Sequence, residues 1–166
     1  MPLTLKQLLA TLPQQGKLEW IGLRPAKREA VLSVEQAVLT TASGLEGDRY
    51  AGRSGNRQVT LIQAEHLPVM ASLLHVAEVP PELLRRNLLV SGVNLLALKG
   101  KRFEVGDALL EYTGLCHPCS RMEEYFGAGG YNAVRGHGGI TARVLRGGDI
   151  IIGSRVVAVK PVASDS

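Results

Sequence analysis

Apolar positions in this chain fall in short runs whose period changes along the sequence. Leu5, Leu8, Leu9 and Leu12 recur at helical spacing, so residues 2–12 predict a short amphipathic helix, broken by Pro13 to Gly16. Lys17 to Leu23 predicts a strand ended by Arg24-Pro25, and Val34 to Thr41 predicts a second. Ser43 to Asn56 carries Gly44, Gly47, Gly52 and Gly55 and predicts a loop. Gln58 to Ile62 is β-branched and alternating, as a strand should be. Gln63 to Leu74 predicts a helix that must start late or kink, because Pro68 lacks a donor N–H. Pro80-Pro81 suits a helix start, so Pro81 to Arg86 predicts a brief helix. Leu88 to Val90 and Lys101 to Tyr112 predict strands, the latter folded back at Gly106-Asp107. Cys119 to Phe126 predicts a short helix, with turns at Gly127 to Gly130 and Gly136 to Gly139. Ile140 to Val159 predicts two or three strands broken at Gly147-Gly148 and Gly153.

The total is roughly seven to nine short strands with a few short helices, and no repeat or linker. The fold class is therefore mainly β. One domain over residues 1–166, with a core of about 17–160, would close or partly close its sheet into a barrel and so remove its edges.

Composition narrows the classes further. At 166 residues the chain can bury a core without disulfide staples, and 45% apolar content excludes disorder. No apolar run reaches the ~18 residues of a membrane span. Met1 to Gln15 does not read as a secretory leader. A Cys116–Cys119 bridge would close too short a loop to stabilise much, so a cytoplasmic protein with reduced thiols is expected. The net charge of +4 is scattered; it permits phosphate-bearing ligands without implying nucleic acid.

Chemistry concentrates in four segments. Gly114-Leu-Cys-His-Pro-Cys-Ser-Arg121 sets two thiols and an imidazole within four residues. A thiol opening a helix beside Arg121 would have more thiolate, the form that ligates soft metals or attacks electrophiles. Three readings stay open: a pair of buried small side chains, half of a zinc site, or one working thiolate with an open coordination position. Zinc lacks a second Cys-x-x-Cys, and His66, His75 and His137 show no ligand spacing. Leu84-Arg-Arg-Asn-Leu-Leu-Val90 offers guanidinium forks to an anion and an amide to a heterocycle edge, or simply a solvated helix end. Gly44-Leu-Glu-Gly-Asp-Arg-Tyr50 could let backbone N–H groups approach a ligand, or be an ordinary polar loop. Gly136-His-Gly-Gly-Ile-Thr-Ala-Arg143 could line a pocket, or be a turn. No phosphate-binding P-loop, Gly-x-Ser-x-Gly or His-Glu-x-x-His pattern occurs.

Taken together, GLEGDRYAG (44–52), NRQVTLIQAE (56–65), RRNLLVSGVNL (85–95), FEVGDALLEYTGLCHPCSRME (103–123) and RGHGGITARVLRGGDIIIGSRV (135–156) resemble, in order, the MOSC family. That family is named for the C-terminal domain of molybdenum-cofactor sulfurase. The resemblance implies a MOSC-type β-barrel that binds the molybdenum cofactor, molybdopterin, through one cysteine. Cys119 fits that position, following Pro118, and Cys116 is the alternative. By similarity to the mitochondrial amidoxime-reducing component and related bacterial proteins, it implies a molybdenum-dependent oxidoreductase acting on small N-hydroxylated compounds. The family also carries an association with pyridoxal phosphate. Arg85 and Asn87 match its Arg-x-Asn element at the cofactor. Arg49, Asp48, Arg121 and Arg143 are further cofactor-binding candidates, and His117 or His137 is a candidate proton donor. Tyr50 departs from the His expected in many small relatives. The chain shows no cysteine cluster for iron–sulfur chemistry, so an electron-donor protein is implied as partner.

Two other functions fit the same residues. Cys119 could carry a persulfide received from a sulfur donor, with Cys116 resolving it. Alternatively the barrel could bind an anionic partner without catalysis. Phe103, Phe126, Trp20 and four tyrosines are few for base stacking, which argues against nucleic acid.

Overall fold

Eleven strands and four short helices follow one another in a computed structural model that describes residues 2–13, 15–49 and 55–159. The strands are β1 (Gly16–Leu23), β2 (Leu32–Val34), β3 (Gln36–Thr40), β4 (Gly44–Leu45), β5 (Val59–Gln63) and β6 (Leu88–Ser91). They continue as β7 (Arg102–Val105), β8 (Ala108–Leu115), β9 (Ile140–Arg146), β10 (Gly148–Ile151) and β11 (Arg155–Ala158). The helices are α1 (Leu5–Ala10), α2 (His66–Leu74), α3 (Arg121–Phe126) and α4 (Gly130–Val134), with 3-10 turns at Pro81–Leu84 and Leu95–Leu98.

The strand order β11-β7-β8-β9-β5-β6-β1 closes on itself through β1–β11, giving a seven-stranded barrel with β2 added beside β1. Closure leaves fewer edges to protect. The barrel is filled by Leu18, Ile21, Leu61, Leu88, Val90, Phe103, Leu110, Ile140 and Val156 among others. Irregular register at Leu18/Trp20 in β1 and at Leu109/Leu110 and Tyr112/Gly114 in β8 bends those strands around it.

Among the described residues only β5 and β6 pair in parallel. Both are buried on both faces, which explains the apolar run of β6; β5 is buried throughout, its polar Thr60 and Gln63 included, although its sequence alternates. Leu61 and Leu88 point into the barrel; Ile62 and Leu89 point outward into a second core. That core also holds Leu67, Met70, Leu84, Met122 and Val134, so α2, α3, α4 and the 81–84 turn form a cap over this side of the barrel. Pro68 causes no kink, because it is the third residue of α2, where N–H groups have no helical partner.

Four expectations are corrected. Val34 to Thr41 is two strands. β2 pairs with β1 in the barrel, whereas β3 joins β10 and β4 in a separate three-stranded sheet. The chain changes sheets at Glu35, whose carbonyl accepts from Ile152 N at 2.9 Å. The predicted 43–56 loop contains β4, and residues 50–54, including Tyr50, lie outside the described residues. Among the described residues the strand count exceeds the expected seven to nine because of such short pieces. Finally, α1 forms with Thr4 and Gln7 as a capping box, yet Leu5, Leu8 and Leu9 are exposed and only Leu12 packs on the barrel.

Candidate functional site

The barrel and its cap meet at Leu84-Arg-Arg-Asn87, between the 81–84 turn and β6. Arg85 adopts the left-handed conformation (φ 55°), which is uncommon for a residue with a Cβ. The turn there sends consecutive side chains to different partners. Arg85 is buried; its Nη1 donates to Glu29 O at 2.6 Å, and its Nη2 has no hydrogen-bond partner among the described residues. Such an orphaned cationic nitrogen is costly unless something anionic meets it.

Other cations gather beside it. Partial burial, followed by the like charges of Arg24, Arg85 and Arg121, pushes the Arg49 guanidinium below its ordinary range, with Asp48 acting the other way. Four arginines from the β1 end, the 45–49 loop, the 84–87 segment and α3 thus share one neighbourhood. A dianionic group would relieve their mutual repulsion.

Asp48 and Asn87 stand behind this cluster. Asp48 Oδ1 accepts from Arg24 N at 2.8 Å, Arg24 Nε at 3.1 Å and Asn87 Nδ2 at 3.1 Å, while Oδ2 accepts from Arg24 Nη2 at 2.9 Å. Asn87 is fully buried. Its Oδ1 accepts from Thr60 N and Thr60 Oγ1, and its Nδ2 also donates to Gly22 O. Both side chains are thus engaged within the protein, where they fix Arg24 against Arg85 O (3.5 Å). Arg143 lies elsewhere, on the outer face of β9, paired with Glu111 of β8.

Arg86 anchors the cysteine segment. It is 5% exposed and has no carboxylate partner among the described residues. Nε donates to Gly138 O at 2.8 Å, Nη1 to Leu84 O at 2.9 Å and Nη2 to His117 O at 3.0 Å. Cys116 N donates to Gly139 O at 2.9 Å, so the 115–118 and 136–140 segments run close together. Gly138 and Gly139 allow this: a methyl group at either would overlap the carbonyl oxygen of Cys116 or of Leu61.

The two thiols are in different environments. Cys116 is 3% exposed, with Arg57 Nη2 4.0 Å from its Sγ; Cys119 is exposed, just ahead of α3. Its carbonyl accepts the first turn's bond from Met122 N, so the helix expected from residue 119 begins at Arg121. Both thiols are free, and among the described residues no three His, Cys, Asp or Glu side chains form a metal cluster. A structural zinc site is therefore not formed by these residues; a metal brought by a cofactor needs only one protein thiolate. Cys116, His117 and Pro118 line a small cleft of about 50 Å³, shared with His66 and with apolar Leu95, Leu96, Leu115 and Ile140. A larger surface hollow of about 620 Å³ beside β3 and β10 holds neither cysteine nor histidine. His137 packs edge-on against His66, with ring centroids 5.2 Å apart, and its Nδ1 is buried without a partner among the described residues. Burial, then the charge of His137, lowers the pKa of His66; Glu65 opposes them.

Arg24 and Arg57 were not singled out from sequence; Arg86 entered only with Arg85 in the Leu84 to Val90 segment, and His66 only as a zinc candidate without ligand spacing. Arg86 left one signal, a second arginine inside an apolar stretch from Leu84 to Val90.

A MOSC domain family model matches residues 29–157. No curated protein matches the chain. Among solved structures, the YuaD protein of Bacillus subtilis superposes with a TM-score of 0.77 at 21% identity, covering 92% of this chain and 100% of that one. YiiM from Geobacillus stearothermophilus gives 0.70 at 16% identity, covering 90% and 77%. YiiM from Escherichia coli gives 0.65 at 21% identity, covering 92% and 73%. These likenesses show a shared fold.

Proposed function

The chain belongs to the MOSC domain family, and from that premise we propose that it holds a molybdenum cofactor, with Cys119 as the metal's protein ligand, and reduces N-hydroxylated compounds. One observation carries the reading: Arg85 keeps a buried, unpartnered guanidinium nitrogen within a four-arginine cluster. That donor set fits a phosphate, the anionic end of the pterin cofactor.

Arg85, Arg49 and Arg121 would hold the phosphate. Asp48 and Asn87 keep Arg24 and the β1 end in place beneath them. Arg86 fixes the backbone from which Cys119 projects. Cys119 suits the ligand role because its thiol is exposed, whereas Cys116 is enclosed against Arg57. When bound, the cofactor would supply two-electron, oxygen-accepting chemistry; the protein contributes anchoring, orientation and a proton source. A separate electron-donor protein would complete the cycle.

The test is metal analysis of wild type, Cys119→Ala and Cys116→Ala, purified anaerobically from a host that makes the cofactor. Near-stoichiometric molybdenum in wild type and Cys116→Ala, lost in Cys119→Ala, is the expected result. Equal molybdenum in all three would refute the ligand assignment. No molybdenum in any, with an extra sulfur atom on Cys119 by mass spectrometry, would replace the reductase reading with sulfur transfer.

A further inference from the structure

We propose that α1 and the hollow it runs into form a docking surface for a second copy of this chain, each copy laying the leucine face of its α1 into the hollow of the other. This pairing does not depend on a bound cofactor.

The helix lacks support within its own chain. α1 has no buried residue, and Leu3, Leu5, Leu8 and Leu9 are 55–71% exposed. Leu5, Leu8 and Leu9 share one face at helical spacing, so they form a contiguous apolar patch and not scattered single residues. A helix of six residues is too short to persist in water on its own, and even with its Thr4–Gln7 capping box it needs packing. Among the described residues only Leu12, beyond its end, supplies any, against the barrel core.

The hollow, about 440 Å³, is lined by Leu12, Pro13, Val93 and Ala97 together with Gln63 and Glu65. Its other polar side chains are engaged within the chain. Gln63 Nε2 donates to Val93 O at 2.7 Å and its Oε1 accepts from Leu95 N at 3.0 Å, while Thr11 Oγ1 donates to Gln7 O at 2.9 Å and Asn94 Oδ1 accepts from Leu96 N at 3.2 Å. What an occupant meets is therefore apolar surface and one carboxylate. Glu65 is the one charged residue among the described residues that line the hollow, and Lys6 is the one charged residue of α1. Lys6 is exposed, has no ion pair among the described residues, and neighbours Leu9 at a spacing of three. The Glu65 oxygens accept from Gln63 Nε2 and Gly92 N, and each carboxylate oxygen can accept a further bond. A leucine face with one cation thus matches an apolar hollow with one anion. Thr11, Leu12 and Pro13 line the hollow, so helix and hollow are one contiguous patch. A two-fold interface requires such a self-complementary patch, because each copy then gives its helix and receives the other's.

The test is analytical ultracentrifugation of the 166-residue chain over a range of concentrations up to about 100 μM. A monomer–dimer equilibrium with a micromolar dissociation constant is expected, the patch lying at the small end of specific interfaces. Leu8→Lys, a change at an exposed position, should raise that constant by about 30-fold or more and leave the circular dichroism of the monomer unchanged. Lys6→Glu and Glu65→Lys should each weaken the dimer, and an equimolar mixture of the two should restore it, because both contacts across the two-fold then join opposite charges. Only a contact between copies gives that rescue. Glu65→Lys also loses the bond to Gly92 N; should it fail to fold, Leu8→Lys alone decides. Wild type that stays monomeric throughout would overturn the proposal, and monomer that floats with phosphatidylglycerol vesicles through the same leucines would assign the face to a lipid surface instead. A dimer untouched by Leu8→Lys would place the interface elsewhere, and a mixture of folded variants that stays monomeric would overturn the pairing of Lys6 with Glu65.

Discussion

Arg86 Nη2 donates to the His117 carbonyl oxygen at 3.0 Å, and that bond ties the cysteine segment to the barrel wall. The same guanidinium holds Gly138 O and Leu84 O, so one buried cation joins three chain segments otherwise far apart in sequence. Arg85, its neighbour, keeps one nitrogen without a partner among the described residues instead. Adjacent residues of one type thus differ: Arg86 uses all three of its donor nitrogens for the fold, and Arg85 does not.

Exchange of each arginine for methionine should separate the two. Arg86→Met leaves the carbonyls of Gly138, Leu84 and His117, the first two buried, without this donor and should destabilise the fold by about 2–4 kcal/mol. Arg86→Lys should recover little, because an ammonium lacks the fork that reaches three acceptors. Arg85→Met loses the bond to Glu29 O but also removes an uncompensated buried nitrogen, so its stability should change by less than about 1 kcal/mol. Urea denaturation of the three variants measures this; an Arg85→Met loss as large as that of Arg86→Met would contradict the division.

The glycines of the 136–139 segment should differ in the same graded way. Gly139→Ala combines overlap with Leu61 O and a φ of 89°, and Gly138→Ala overlaps Cys116 O; each should cost about 3 kcal/mol or more, or prevent folding. Gly136 has a φ of 87° but nothing near its missing Cβ, so Gly136→Ala should cost only about 1–2 kcal/mol. Equal losses at 136 and 139 in thermal melts would show that conformation, not close approach, fixes the segment.

Much of this was legible in the sequence. Alternation located β1, β5, β7 and β8, and glycines marked their ends. Period cannot reveal which sheet a strand joins, so the change of sheet at Glu35 was not visible within the Val34 to Thr41 run. Nor can it reveal what a helical face meets: the α1 leucines have the right spacing and no core to enter. At the site, residue types pointed to the arginine, cysteine and histidine segments. Which polar atoms are left free is a matter of three-dimensional pairing. Asp48 and Asn87 look as available in sequence as Arg85, yet their atoms meet Arg24, Thr60 and Gly22.

Asn87→Asp is therefore expected to act through Asp48. The change removes the donor to Gly22 O and sets a second carboxylate against Asp48 in a buried place. A loss of roughly 3–5 kcal/mol at pH 7 is expected, since uncompensated buried charge is costly. Acidification that protonates either carboxylate should reduce the deficit, because a carboxyl can again donate. A deficit in chemical denaturation that is flat from pH 7 down to pH 5 would rule out charge repulsion as its cause.

His66 should leave its own mark on the pH dependence of folding. Burial, then His137, lowers its pKa in the folded protein, with Glu65 opposing, so between that value and the ordinary ~6.5 the unfolded chain binds more protons than the folded one. Stability contributed by the neutral ring is fully present above about pH 6.5 and is lost as pH falls through the folded-state pKa. Wild type should therefore lose more stability than His66→Gln on going from about pH 7 to pH 5, and unfolding near pH 6 should take up protons. Removing His137 relieves part of the shift, so His137→Gln should move the wild-type transition toward higher pH. Parallel stability curves for wild type and His66→Gln across that range would mean the ring is solvated in solution and not enclosed against His137.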